Sequence, residues 1–377
     1  MLGDERSYVW VVSKTSINAF ELPARNIIES ASRNLYEQVS VDGTGNPNKS
    51  APNAQRVSVN TQIATLSEMI LKPVAHRIRG QRIVVVADGA LQLVPFGVLS
   101  VAAVDQSPLI RLYETVSLPS ASVISMLRRN KDKQPSPKAL AVLADPVFSP
   151  NDPRVTKTGA RRPPVESMSQ TTQAFRDAGL LEANGELPRL LASRWEADSI
   201  IVAAGQTAMK ATGFSANLNT ALSPELRNYR MIHLATHAVL DTQRPSLSGV
   251  VLSLVDERGR PQPGYLRAID IYGMDLSAEL VTLSACQTAI GREFKGEGMV
   301  GLSRAFMQAG TKRVVASLWK VDDYATAELM THFYKEMFIN GKRPAAALQS
   351  AQIHVSEQKR WQAPYYWAGF VLQGEWR

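Results

Sequence analysis

The chain has a single cysteine, Cys286, in 377 residues. No intrachain disulfide can form, and no multi-cysteine zinc or iron–sulfur site can be built. Long hydrophobic runs are missing as well: nowhere do roughly 18 apolar residues follow one another, which excludes a recognisable membrane-spanning helix. The opening "MLGDERSYVWVV" lacks the basic flank and apolar stretch of a secretory signal. There is no low-complexity tract and no internal repeat of solenoid length. These absences lead to the expectation of a cytoplasmic protein in a reducing setting, without a membrane partner.

What is present is ordinary for a globular chain: 45% hydrophobic and 20% charged residues. The length allows two or three domains, or one elaborate α/β unit with additions. A net charge of +8 raises the question of a polyanionic partner. Most of it lies between residues 128 and 162, where Arg128, Arg129, Lys131, Lys133, Lys138, Arg154, Lys157, Arg161 and Arg162 face only Asp132, Asp145 and Asp152. That stretch also holds five prolines and a single aromatic, Phe148. It reads as solvated linker and loop, and nucleic acid is not expected as a direct ligand.

The first section reads as two strands, "SYVWVVSK" and "NAFELP", then helical stretches over 25–39 and 63–79 and the buried strand "RIVVVAD". After the basic, proline-bearing "NKDKQPSPK", strands and helices alternate as in a parallel sheet. The strands are "ALAVLAD", "AMKAT", "MIHLATHAV", "GVVLSL", "LVTLSAC", "RVVASLW" and "WAGFVLQG". Helices are predicted over 190–204, 215–222, 299–309, 325–338 and 344–358. Such alternation puts working residues at the carboxyl ends of the strands.

Two strand ends stand out. "HLATHA" places His237 where an apolar run turns over into a loop, and "TLSACQTA" places Cys286 at the same point of another run, 49 residues on. If these strands are parallel neighbours, imidazole and thiol emerge on one sheet edge. A cysteine nucleophile needs that arrangement, because the thiolate is the reactive form and an imidazole can take and return the proton. The backbone N–H groups of Cys286 and Ala238 could then face a developing oxyanion.

The blocks "MIHLATHAVLDTQRPSLSGVVLS", "LVTLSACQTAIG", "GEGMVGLSRAFMQAGTKRVVASLWKVDD" and "YYWAGFVLQG" resemble, in this order, those of the CHAT-domain family, relatives of caspases and separases. "DERSYVWVV", "VVADGALQLVPFGVL", "VSLPSASV" and "LAVLADPVF" resemble its N-terminal blocks, so the likeness spans nearly the whole chain. The resemblance implies an α/β fold with a caspase-like, mostly parallel central sheet flanked by helices. Residues 1–135 would form a non-catalytic companion subdomain and 136–377 the catalytic one. It further implies a His237–Cys286 dyad, cleavage of protein substrates after a basic or large P1 residue, and no cofactor or metal. A helical-repeat, TPR-like sensor or activator is the implied partner, and a bacterial source the expected one. In the separase-like segment "LWKVDDYAT", Asp322 or Asp323 would line an S1 pocket with Trp319 as one wall. An aspartate before "YATAELM" is also a normal helix N-cap.

Other motifs give way. His233 and His237, four apart in a strand-like run with no third ligand in view, argue against zinc, and His233 reads as a core histidine. "GEGMVG" does not directly follow a strand, as a dinucleotide fingerprint must. Ser303 in "GLSRA" falls within a helical pattern, not on a nucleophile elbow. The competing function is a catalytically silent module on the same fold that binds protein partners.

Overall fold

A computed structural model describes residues 1–41, 59–101, 107–129, 136–156, 175–176, 180–182, 184–241, 248–284, 287–290 and 297–376. The chain opens with an antiparallel hairpin, β1 (Ser7–Val12) and β2 (Ile17–Leu22), followed by α1 (Arg25–Val41) and α2 (Val59–Ile70). The helix expected over 63–79 stops early, because Pro73 opens a separate 3-10 turn, Lys72–Arg77. Proline has no N–H to give and its ring clashes with the preceding turn. Next come β3 (Arg82–Val85), β4 (Glu114–Ser117) and α3 (Val123–Arg129).

Beyond residue 136 the alternation is as expected: β5 (Lys138–Ala144), α4 (Leu191–Ala204), β6 (Ala208–Thr212), α5 (Leu218–Ala221) and β7 (Tyr229–Ala235). Then follow β8 (His237–Asp241), β9 (Gly249–Val251), β10 (Tyr265–Arg267), α6 (Ala268–Tyr272), β11 (Leu280–Leu283) and β12 (Gln287–Ile290). The last elements are α7 (Glu297–Gln308), β13 (Arg313–Ser317), α8 (Asp323–Phe338), α9 (Pro344–Ser356), α10 (Pro364–Trp367) and β14 (Phe370–Gly374).

Eight strands form the central sheet in the order β3-β4-β14-β13-β11-β7-β5-β6. It is a mixed α/β fold with a mostly parallel sheet flanked by helices. All pairings are parallel except the seam between β13 and β14. The seam divides the sheet into a five-stranded block, β13 to β6, and a three-stranded block made of β14, β4 and β3, running the opposite way. The N-terminal strands β3 and β4 thus extend the same sheet that carries β7 and β11. Strands β11 and β13 are buried throughout and β5 over five of its seven residues, which explains their near-continuous valine and leucine runs. Helix α8 packs against both α4 and α9, and its buried residues include Leu329, Met330 and Phe333.

A second sheet, β10-β9-β8-β12, has four strands. The run "MIHLATHAV" is therefore two strands, not one ending in a loop. Strand β7 stops at Ala235 in the large sheet, and β8 starts at His237 in the small one. Between them the buried Thr236 donates its hydroxyl to the Val251 carbonyl at 2.5 Å, fixing the break from the side. Strand β11, the parallel neighbour of β7, likewise ends at Leu283, and β12 resumes in the small sheet as the parallel neighbour of β8. No helix among the described residues is long and apolar enough to cross a membrane.

Candidate active site

His237 occupies the first position of β8, at the break between the two sheets. Only 2% of it is exposed. Its Nε2 lies 2.7 Å from the carbonyl oxygen of Pro188, an acceptor only, so Nε2 carries the proton and donates. Nδ1 is then the basic nitrogen, and it is buried without a hydrogen-bond partner among the described residues. Phe148 leans on the ring at 5.2 Å between centroids. Burial pushes the imidazole down to about 4; the Pro188 carbonyl opposes this and the Lys320 charge adds to it. At neutral pH the ring is uncharged and able to accept a proton.

Four residues earlier, on β7, His233 is wholly buried among polar groups from three other elements. Its Nδ1 lies 3.2 Å from the Tyr334 hydroxyl of α8, which donates onward to Thr282 of β11 at 3.0 Å. Glu196 of α4 approaches Nε2 at 2.8 Å, without the alignment of a hydrogen bond. Thr282 is also the strand neighbour of His233, so β7, β11, α4 and α8 meet at this cluster. A buried polar group left unpaired costs roughly 1–3 kcal/mol, and the cluster shares out most of that need. His233 is here a core histidine. Among the described residues no group of three or more His, Cys, Asp or Glu side chains could hold a metal ion.

The other sequence-predicted residues fall in different surroundings. Cys286 lies outside the described residues. Gln287, the residue after it, pairs in register with Ala238, the residue after His237. Ala238 is fully buried in the middle of the small sheet, with β12 on one side and Val250 of β9 on the other. Trp319 is a core side chain, 2% exposed. Its indole N–H donates to the Tyr365 carbonyl at 3.1 Å, and the Tyr36 ring meets it edge-on. Asp322 is the N-cap of α8: its carboxylate accepts from Ala325 N at 2.8 Å, the use its position in sequence allowed. Asp323 is half-buried, and burial, then Asp322 and Glu196, push its carboxyl up to about 6 while Lys320 pulls it back.

The model of the CHAT domain matches residues 61–375 of this chain. The chain belongs to the CHAT-domain family. Relatives of this CHAT domain include mouse tetratricopeptide repeat protein 28, 25% identical over 381 residues, and the human protein of that name, 24% identical over 382. These alignments take in 88% and 89% of the chain but 14% of each relative, so it spans about one-seventh of their length. Among solved structures, the Saccharomyces cerevisiae separase–securin complex covers 93% of the chain and 22% of its own, with a TM-score of 0.45 and 12% identity. The Arg-specific cysteine proteinase gingipain R covers 70% of the chain and 54% of its own, at a TM-score of 0.40 and 10% identity.

Within this CHAT domain sequence reasoning passed over Pro188, whose carbonyl bonds His237, and the charged residues that pair near it. Asp145, Arg154, Pro188 and Arg189 all lie in loops, where no periodicity marks them. One signal was available. Asp145 directly follows the buried run of β5, which pairs in parallel with β7, so the strand-end argument that picked out His237 applies to it equally. Of the basic residues counted between 128 and 162, Arg128 pairs with Glu375, Lys138 with Glu225, and Arg154 with Asp145 and Asp152. Glu375 and Glu225 come from outside the stretch and offset two of its surplus charges.

Proposed function

We propose that this CHAT domain is a cysteine endopeptidase whose nucleophile is Cys286 and whose general base, then acid, is His237. The observation that carries the reading is the paired register of β8 and β12. The residues next in chain after His237 and Cys286, Ala238 and Gln287, are direct partners on two parallel strands, which supports bringing the two together. His237 supports its part: a neutral ring at neutral pH, Nε2–H tied to Pro188, and Nδ1 left to take a proton.

In the proposed cycle the Cys286 thiol gives its proton to His237 Nδ1, and the thiolate attacks the scissile carbonyl carbon. The backbone N–H of Cys286 donates to the oxyanion of the tetrahedral intermediate, while Ala238 is enclosed between β12 and β9. That intermediate collapses as His237 returns the proton to the leaving amine, and water then hydrolyses the acyl-enzyme. Asp323 is the S1 candidate with a carboxylate to offer, since Asp322 is engaged in capping α8 and Trp319 is buried. A basic P1 residue would pair with it. Likeness along 88% of the chain to a protein named for tetratricopeptide repeats supports a helical-repeat sensor or activator as partner.

A second reading, a silent protein-binding module, is favoured by the enclosure of His237. A groove of about 490 Å³, bordered by Phe214, Asn217, Asp256 and Arg258, contains none of the candidate site residues. Labelling with a peptide-based thiol probe, with and without a tetratricopeptide-repeat partner, separates the two. Wild type should label and Cys286→Ala should not, with unchanged circular dichroism. Equal labelling of both, or none of wild type under any condition that also cleaves no peptide, removes the endopeptidase reading.

A further inference from the structure

Asp145 is the only non-glycine among the described residues with a positive φ, 49°. It stands at the end of β5, on the sheet edge where β7 breaks into β8, with its carboxylate wholly buried. Two guanidinium groups converge on it. Arg189 binds it in parallel, Nε to Oδ1 and Nη2 to Oδ2, both at 2.8 Å. Arg154 reaches both Oδ2 and the Asp145 carbonyl oxygen at 2.9 Å, and is itself held by Asp152. A third, Arg194, stands 3.8 Å off. Such a buried ionic hub is a poor way to gain stability, since well-packed apolar groups do as well or better. The left-handed backbone, which aspartate tolerates better than most residues, adds a further cost.

What the hub holds is specific. Arg189 follows Pro188 directly in the chain, and the Pro188 carbonyl is the acceptor for His237 Nε2–H. The planar, bidentate pair fixes both position and orientation at Arg189, and the peptide bond passes that restraint to the carbonyl one residue back. We propose that Asp145 and Arg189 are positioning residues for His237: their ion pair pins residues 187–190 so that the Pro188 carbonyl locks the ring through Nε2–H and leaves Nδ1 as its basic atom. The functional meaning of this lock rests on His237 being the base; the lock itself does not.

The test therefore reads the ring and not turnover. In the full chain, ¹⁵N-histidine NMR follows the His237 Nε2–H and its titration, the signal being assigned by its loss in His237→Gln. In wild type that proton should be protected and the ring should titrate near 4. Asp145→Asn and Arg189→Gln should each speed its exchange about tenfold or more, as expected for local opening, and move the titration up toward the ordinary 6.5. The two variants change local charge in opposite senses, so a shared upward shift reports loosening and not field. Arg189→Lys should restore part of the protection, and Arg267→Gln, which breaks the separate Arg267–Asp270 pair, should change nothing. If Asp145→Asn does not fold, Arg189→Gln carries the test, because that side chain is one-third exposed. Wild-type exchange and titration in a folded Arg189→Gln would overturn the proposal, whether or not Cys286 proves to be a nucleophile.

Discussion

The two blocks of the central sheet are built alike and end differently. In the five-stranded block the carboxyl ends of β5 and β7 deliver Asp145 and His237, charged or titratable groups held by arginines and a carbonyl from outside the sheet. In the three-stranded block the carboxyl ends of β3 and β4 run into Ala87 and Leu118, which with Leu91, Phe96 and Val371 close around a void of about 20 Å³, room for one water at most. Parallel strands alone therefore do not gather polar groups. Asp145 and His237 collect beside the point where β7 gives way to β8, since a break in the ladder frees backbone and side chains for other partners.

Three measurements would break or sharpen that contrast. The largest effect should come from the quiet block. Leu372, buried on β14 beside Val116 of β4, should cost about 2–5 kcal/mol when replaced by alanine. Urea unfolding would show this, while His237 in the folded variant titrates as before. A shifted His237 titration would mean that the blocks are not independent.

Next is the pH dependence carried by the active block. His237 falls to about 4 in the folded chain against an ordinary 6.5, so the unfolded chain binds the extra proton first. Its contribution is intact above pH 6.5 and is lost as pH falls toward 4, in total about 3 kcal/mol at 1.36 kcal/mol per pH unit. Stability measured from pH 7 to 4 should drop less in His237→Gln than in wild type. Parallel curves for the two proteins would contradict the buried neutral ring.

The smallest effect concerns Asp323. Held near 6, its carboxyl is mostly ionised at pH 7 and neutral at pH 5. Any preference for Arg or Lys at P1 should accordingly fade between those values in wild type, and be absent throughout in Asp323→Asn. A peptide library cleaved at both pH values reads this directly, and an unchanged profile in the variant removes Asp323 from the pocket.

Much of this was legible in the sequence, for physical reasons that also mark where legibility stops. Strands buried on both faces announce themselves as valine and leucine runs, so the alternation after residue 136 could be read directly, whereas His237, expected where a strand gives way to a loop, opens the next strand. The change of sheet at Thr236 could not, because both β7 and β8 are apolar and buried and the run of residues shows no gap. A hydroxyl bonded to Val251 marks that break, and nothing local distinguishes such a threonine from any other in a strand. The Asp145–Arg189 pair joins residues 44 apart through loop geometry, a relation without period or motif. Asp322 was ambiguous between cap and pocket until its bond to Ala325 assigned it the cap.

The seam between β13 and β14 has a consequence for how the chain can fold. Strand β14 comes after every other strand in sequence, yet it sits inside the sheet, with β4 on one side and β13 on the other. The N-terminal strands β3 and β4 can join the large sheet only through it. During synthesis they must therefore wait for residues 370–374, and the closing contact is among the longest in sequence that the fold contains. Contacts of that range are the slow ones, so the last strand made is the one that completes the sheet.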